Sequence, residues 1–445
     1  MTDTWKYLSK EVIEPGLCTQ CGSCVGLAQG KLAFREKHSI PIPHLESKDS
    51  DLPESCRLAC PARHCSYVEL NRSTFGELPS NWLTGRVIKA RIGFSKSEKI
   101  RRNGASGGAI TSILLHLLKS QKISGAICLK MGAPVPYLAK PIIARTPEEI
   151  IACSQSVYSV TPVNTILSEI NENEGPLAYV GLPDQVASIR KLQHEGHPSV
   201  KNIRYVIGPY VGTQMYFESI RSFLRSHGVH SEKEIVDLRY RDGEWPGNLR
   251  ITLRNGRVLK AEKFHYNYLI PFYITESSLQ AVDFSNELTD ISVGDAWSPK
   301  HEKERKGFSV ILTRSESGEA IVTEMIDQGL LSAEEISIDD ALDMHGHMID
   351  FKKRGSFLRN RRKSARPFYG YEPIEIPLAR RAVERILQIV FFIGRTNLAR
   401  RAVEKIPLRM VGPCFNFIRI SWKNLSKPTK RKGLKTIKFK FYENQ

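Results

Sequence analysis

Apolar residues change period along the chain, and the changes mark out its elements. Val87-Ile88-Lys89-Ala90-Arg91-Ile92-Gly93-Phe94 alternates as a strand does, whereas Ile110, Ile113, Leu114, Leu117 and Leu118 recur at helical spacing. Between them lies Arg101-Arg102-Asn103-Gly104-Ala105-Ser106-Gly107-Gly108, so the glycines are predicted in a strand-to-helix loop with Ser106 as N-cap. Gly125 to Leu129 reads as a buried strand, and Thr146-Pro147 as the cap and first position of a helix. Leu177 to Val180 runs into the turn Gly181-Leu182-Pro183-Asp184, then a helix over Gln185 to Leu192. Arg204 to Gly212 repeats the strand and turn before a helix holding Ile220 and Phe223. Leu249 to Arg254, the turn Asn255-Gly256 and Arg257 to Leu259 form a hairpin. Strand–turn–helix alternation of this kind predicts a mixed α/β (α+β) chain with an open sheet.

A length of 445 residues suits two or three domains. The net charge of +18 is uneven: residues 351–445 hold 25 Lys and Arg against 5 Asp and Glu, leaving −2 for the rest. Within that basic tail, Leu378-Ala379-Arg380-Arg381-Ala382-Val383-Glu384-Arg385-Ile386 recurs as Leu398-Ala399-Arg400-Arg401-Ala402-Val403-Glu404-Lys405-Ile406. Two amphipathic helices are expected, joined by a turn and cap at Gly394-Arg395-Thr396-Asn397. The tail reads either as a solvated hairpin docked on its own protein or as a face for anionic membrane lipid over residues 378–440. Nucleic acid is not an expected partner, because no base-reading motif accompanies the charge. The opening residues lack a basic-then-apolar leader, and Ile386 to Ile393 is too short to span a bilayer. A cytoplasmic location is expected, with peripheral attachment to the inner membrane face as its variant.

Six of the nine cysteines fall in the first 65 residues, which in a cytoplasmic chain points to metal rather than disulfides. Cys18-x-x-Cys21-x-x-Cys24 has iron–sulfur spacing, but the fourth place of the run is Ala28. A second partial run ends in Cys56-x-x-x-Cys60-Pro61. In two-cluster arrangements the last cysteine of one run ligates the other cluster, so Cys18, Cys21, Cys24 and Cys60 complete one 4Fe–4S site. Cys56 and Cys65 are spare, and either can replace Cys60. The competing reading is structural zinc on Cys18, Cys21, Cys56 and Cys60. Residues 31–55, with three prolines, read as a loop-rich insertion. The glycine segment also carries two readings: a phosphate cradle for a nucleotide cofactor, with Arg101 and Arg102 beside it, or an ordinary turn capping a helix.

The order of motifs resembles one family. A cysteine head precedes Asn103-Gly104-Ala105-Ser106-Gly107-Gly108, then Gly181-Leu182-Pro183-Asp184-Gln185, then Asp283 to Trp297 with Ile291-Ser292-Val293-Gly294-Asp295-Ala296-Trp297 at its end. This resembles the coenzyme F-420 hydrogenase/dehydrogenase beta-subunit family, related to formate dehydrogenase beta subunits and chlorophyllide reductases, over residues 10–345. The resemblance implies FAD held near Asn103, Gly104, Ser106, Gly107, Gly108 and Thr111, with Ser156 and Tyr158 opposite. It implies an iron–sulfur relay and, as partner, an electron-transfer protein or a reduced deazaflavin-type coenzyme. A branched side chain at Gly107 is then expected to block the phosphate.

Four cysteines common in the family are here Asp184, Val211, Ser278 and Ala281. Their joint absence implies that one whole cluster is lost. The four are expected around one small metal-free volume near the glycine loop, filled by their own side chains or by water. The family's Ser-Lys-Tyr reads Ser156-Val157-Tyr158, so a cation is missing there too. The expected layout is a ferredoxin-like head (1–80), a two-part α/β flavin-binding core (81–170 and 171–345) and a helical basic tail (346–445). The expected function is a flavin- and iron–sulfur-dependent oxidoreductase or electron-transfer subunit. The alternative is a non-redox accessory or scaffold protein on the same fold, linked to cell-surface polysaccharide synthesis.

Overall fold

The computed structural model describes residues 3–37, 40–47, 51–171, 173–363 and 365–442. Its first strands, β1 (Leu32–Lys37) and β2 (Ile40–Leu45), pair antiparallel where the sequence predicts a loop. Pro41 and Pro43 obscure the strand because they lack a donor, yet an isolated two-stranded ribbon tolerates proline on its outer edge.

The core is one eight-stranded sheet. In chain order its strands are β3 (Lys89–Ser95), β4 (Gly125–Met131), β5 (Ala139–Ala144), β6 (Leu177–Val180), β7 (Ile203–Pro209), β11 (Ile291–Asp295), β12 (Ser309–Thr313) and β13 (Leu331–Ile336). Between β7 and β11, β8 (Ile235–Asp242), β9 (Asn248–Leu253) and β10 (Val258–Glu262) form a separate antiparallel sheet, which contains the expected Asn-Gly hairpin. The spatial order of the large sheet is β13-β3-β12-β11-β7-β6-β4-β5. β11, β7, β6 and β4 run parallel, and antiparallel strands close both edges. Every residue of β12 is buried, as expected for a strand covered on both faces. Helix Ala109–Lys119 packs Ile113, Leu114 and Leu117 into the same apolar cluster as Ile291, Val293 and Ile311. Thr146 caps helix Pro147–Ala152 with a full capping box.

The tail is built into the core rather than laid on it. Helix Ile338–Asp350 continues through Phe351–Ser356, whose six residues are all buried, into Phe357–Asn360. Helices Leu378–Gly394 and Asn397–Glu404 follow, the second capped by Thr396. A third helix, Leu408–Arg431, escapes the sequence pattern because Pro413 and Pro428 lie inside it. Strands β14 (Tyr371–Pro373) and β15 (Phe439–Phe441) then pair, and Phe368 returns to the head, where its carbonyl accepts from the Cys65 amide at 2.9 Å.

Candidate functional site

Cys18, Cys21, Cys24 and Cys60 line one pocket in the head, walled by Leu8, Val12, Ile13, Phe34 and Pro43. The positions between the cysteines explain the local fold. Gly22 has φ +97°, and a Cβ there would lie 2.8 Å from the Thr165 amide; at Gly26 it would collide with the Asn164 carbonyl. The cysteine loop can therefore lie flat on residues 162–165. The Asn164 amide donates to the Cys21 carbonyl at 2.9 Å, and Ser23 Oγ sits 2.5 Å from Ser188 Oγ. Burial pushes the Cys18 thiol up to about 12 and that of Cys60 to about 11. A metal must therefore displace protons from these thiols to bind.

The spare cysteines are outside this lining. Cys56 donates to the Cys24 carbonyl at 3.3 Å, and neither Cys56 nor Cys65 lines the pocket. Among the described residues no group of three or more His, Cys, Asp or Glu is gathered closely enough for a single metal ion. Four cysteine sulfurs on one apolar-walled pocket are a soft donor set of the kind that iron–sulfur clusters and tetrahedral zinc both take.

The four positions where the resemblance implies a lost cluster, Asp184, Val211, Ser278 and Ala281, are met by one helix of the tail. Lys352 Nζ donates to the Ser278 carbonyl at 2.7 Å, and its charge acts on Asp184. Ser356 Oγ donates to the Ala281 carbonyl at 2.7 Å. The Val211 amide is tied to Phe284, and a Cβ on neighbouring Gly212 would lie 2.5 Å from Met348 Cε. Met348, Lys352 and Ser356 are spaced as one helix face, so a single stripe of the tail reaches all four neighbourhoods. A buried lysine thus reaches into the neighbourhood of these four positions. Burial pulls Lys352 down to about 7 against the opposing pull of Asp184, and pushes Asp184 up to about 7.

The glycine segment differs from the expected cradle. Residues Glu98–Asn103 already form a short helix, and the N-cap of Ala109–Lys119 is Gly108 at φ +74°, not Ser106. Ser106 Oγ instead lies 2.8 Å from Ser309 Oγ. A Cβ at Gly107 would meet the Gly93 carbonyl at 2.6 Å and Ser309 Oγ at 2.9 Å, so this glycine is required by the packing of the loop on β3 and β12. A Gly107 substitution would thus disturb the fold whether or not a phosphate binds. Arg101 is engaged as well: it donates to the Gly307 carbonyl and lies 3.6 Å from the Phe94 ring centroid.

The loop does meet the other predicted residues. Thr111 Oγ1 is 3.5 Å from Ser154 Oγ, which brings in the segment holding half-buried Ser156 and Tyr158. Arg241, on β8, donates to the Ala105 carbonyl, to the Tyr158 hydroxyl at 3.0 Å and to Asp295 at 3.3 Å. Lys263, just after β10, holds its ammonium 3.5 Å from the Tyr158 ring centroid. A cation from another element thus stands beside Tyr158, next to Val157 where the resemblance implies one. Trp245 donates to Asp295 at 2.8 Å and lies 4.6 Å from Trp297, ring to ring. Burial opposes ionisation of Tyr158, but the charges of Arg241 and Lys263 outweigh it and bring the phenol down to about 8. Two cations share one carboxylate, so the region is short of negative charge beside two indoles, which fits an anionic aromatic cofactor. Sequence alone missed Arg241, Lys263 and Trp245 because they arrive from the small sheet, far along the chain; only the Asp295-Ala296-Trp297 motif hinted at them.

Comparison with known proteins places this geometry. Residues 91–168 match the N-terminal part of the beta subunit of coenzyme F420 hydrogenase/dehydrogenase, and residues 175–339 match the C-terminal part of the same protein. The chain is 26% identical to coenzyme F420-dependent sulfite reductase of Methanocaldococcus jannaschii over 333 residues, which is 71% of this chain and 47% of that protein. It therefore spans about half the length of that relative. It is 25% identical to coenzyme F420 hydrogenase subunit beta of Methanococcus voltae, covering 57% of this chain and 85% of that one. It is 25% identical to 7-hydroxymethyl chlorophyll a reductase of Oryza sativa subsp. japonica, covering 68% and 60%. A chain of the F420-reducing [NiFe] hydrogenase complex from Methanosarcina barkeri shares the fold, with a TM-score of 0.52 at 18% identity over 65% of this chain and 97% of that one. The two family matches together cover more than half of the sequence, and the chain belongs to the coenzyme F420 hydrogenase/dehydrogenase beta-subunit family.

Proposed function

We propose that this protein is an oxidoreductase or electron-transfer subunit that carries one 4Fe–4S cluster and FAD, with the second cluster replaced by Lys352. The observation that carries the reading is that Cys18, Cys21, Cys24 and Cys60 line one pocket and Cys56 and Cys65 do not. A flavin would supply electron and hydride chemistry at one ring system. The chain's part is to hold it. Lys263 and Arg241 offer charge to an anionic group, Trp245 and Trp297 offer ring surface, and Tyr158 can hold or release a proton near neutral pH. The electron partner is a protein or a reduced deazaflavin-type coenzyme, the chemistry named for the methanogen relatives. Iron, acid-labile sulfide and released flavin, measured on protein purified without oxygen, test the reading. About four irons and one FAD per chain are expected; stoichiometric zinc without sulfide would refute it.

The absence of cysteine at Asp184, Val211, Ser278 and Ala281 favours a second reading, an accessory protein that kept the fold after its relay was interrupted. That reading predicts neither sulfide nor flavin in the same assay. The tail supports a peripheral position on anionic lipid. Leu378, Ile389, Phe392, Leu398, Phe417 and Leu425 are all exposed on its helices among many lysines and arginines. No described helix is long and apolar enough to cross a membrane. Salt-sensitive sedimentation with anionic vesicles tests this placement.

A further inference from the structure

A cavity of about 370 Å³ opens where helix Leu378–Gly394 crosses the end of helix Glu276–Gln280. Its wall is divided into two kinds of surface. Leu279 and Phe392 supply apolar area, and Phe392 also belongs to the exposed apolar face of its helix, where it is 77% exposed. The polar side is built around Glu276. Lys363 Nζ lies 3.1 Å from one of its oxygens, and the Arg395 guanidinium bonds the other while also donating to the Ile274 carbonyl at 2.9 Å. Arg359 lines the cavity too and pairs with Glu384 at 2.6 Å, a carboxylate that Arg380 also holds at 3.0 Å. Among the described residues Lys363 and Arg395 thus share the one carboxylate of Glu276, and the cavity keeps an excess of positive charge. Arg395 is fixed by its backbone acceptor, so this charge is held in place rather than swinging in solvent.

Charge and shape together specify an occupant. A monoanionic group would complete the charge balance by accepting from Lys363 and Arg395. An apolar chain attached to it would run past Leu279 and leave the cavity along Phe392. A volume of this size holds a headgroup and the first part of such a chain, with the remainder continuing over the exposed helix face. We propose that this cavity binds one phospholipid with a monoanionic phosphodiester headgroup. The site stands on its own residues; only the source of the lipid, an anionic membrane surface, rests on the placement of the tail given above.

The test uses the full-length protein and short-chain phosphatidylglycerol below its micelle concentration, titrated calorimetrically. Saturable binding of one lipid per chain is expected, with short-chain phosphatidylcholine weaker by about tenfold or more because its zwitterionic headgroup leaves the site charge unmatched. Lys363→Gln should weaken phosphatidylglycerol by a similar factor, and Leu279→Trp should block it by filling the apolar side. Lys363→Gln should keep a melting temperature close to wild type, because its ion pair is partly exposed, and both variants should keep sedimentation with phosphatidylglycerol vesicles. Leu279 is 6% exposed, so Leu279→Trp also overpacks the core and Lys363→Gln carries the test. Equal binding by both variants and the wild type would overturn the proposal. Inorganic phosphate binding as tightly as the lipid would replace it with a free-phosphate site. Wild-type protein that binds the monomeric lipid but ignores vesicles would support the cavity and refute the membrane placement of the tail.

Discussion

Replacing Lys353 with methionine should expose how the tail is held in the core. Lys353 Nζ lies 2.6 Å from Glu287 Oε1, both side chains are fully buried, and the ammonium also donates to the Tyr371 hydroxyl at 2.6 Å. The Glu287 oxygens accept no well-directed hydrogen bond, so the ammonium contact is ionic and is their principal compensation. Burial already pushes the Glu287 carboxyl up to about 7 despite that charge. Lys353→Met would leave a buried carboxylate alone, which costs about 3–5 kcal/mol and should lower the urea midpoint by roughly 1 M. The sign of the pH dependence is set by the raised carboxyl. A group whose folded pKa lies above its unfolded value favours folding at low pH and loses that contribution as pH rises through the folded pKa. The deficit of the variant should therefore be small near pH 5 and grow through pH 7 to 9. Adding Glu287→Leu should recover most of the loss, because an apolar pair needs no counter-charge. A single variant as stable as wild type at pH 8, or a deficit that does not shrink toward pH 5, would refute the reasoning.

Two further outcomes follow from the site and a third from a buried histidine. Cys60→Ser should lose more iron than Cys65→Ser, measured by iron and sulfide content, since only Cys60 lines the head pocket. Lys263→Met should cut retained flavin by about tenfold and move the phenolate absorbance of Tyr158 from near pH 8 back toward its ordinary 10. Burial among Tyr210 and Phe284 lowers His345 to about 4, so the unfolded chain binds its proton first as pH falls from 6.5. Stability should drop by up to about 3 kcal/mol over that window, and His345→Phe should flatten the drop in urea midpoints.

Local signals in the sequence read well because their physics is local. The alternation of Val87 to Phe94, the Thr146 capping box and the Asn255-Gly256 turn each depend on neighbours a few residues away. The cysteine spacing likewise marked four residues that share a pocket. The tail was the hardest segment to read. Counted as composition, its arginines and lysines suggest a solvated or lipid-facing surface, and part of it is exposed. Yet Lys352, Lys353, Arg354, Arg359 and Arg380 are buried, because Asp184, Glu287, Asp350 and Glu384 meet them. Charge counting cannot see partners that only the fold assembles. At the glycine loop the packing was not legible: Gly107 is required by its close approach to Gly93 and Ser309, partners that lie on two distant strands.

Anaerobic reductive titration tests the account most directly, because it counts redox centres rather than ligands. One 4Fe–4S cluster takes one electron and one FAD takes two, so wild-type protein should absorb about three electron equivalents per chain. Cys60→Ser should retain about two, those of the flavin alone. Uptake of about four equivalents by wild-type protein would show a second cluster beside Lys352, and no uptake would show that the chain carries no redox centre; either result would contradict the account.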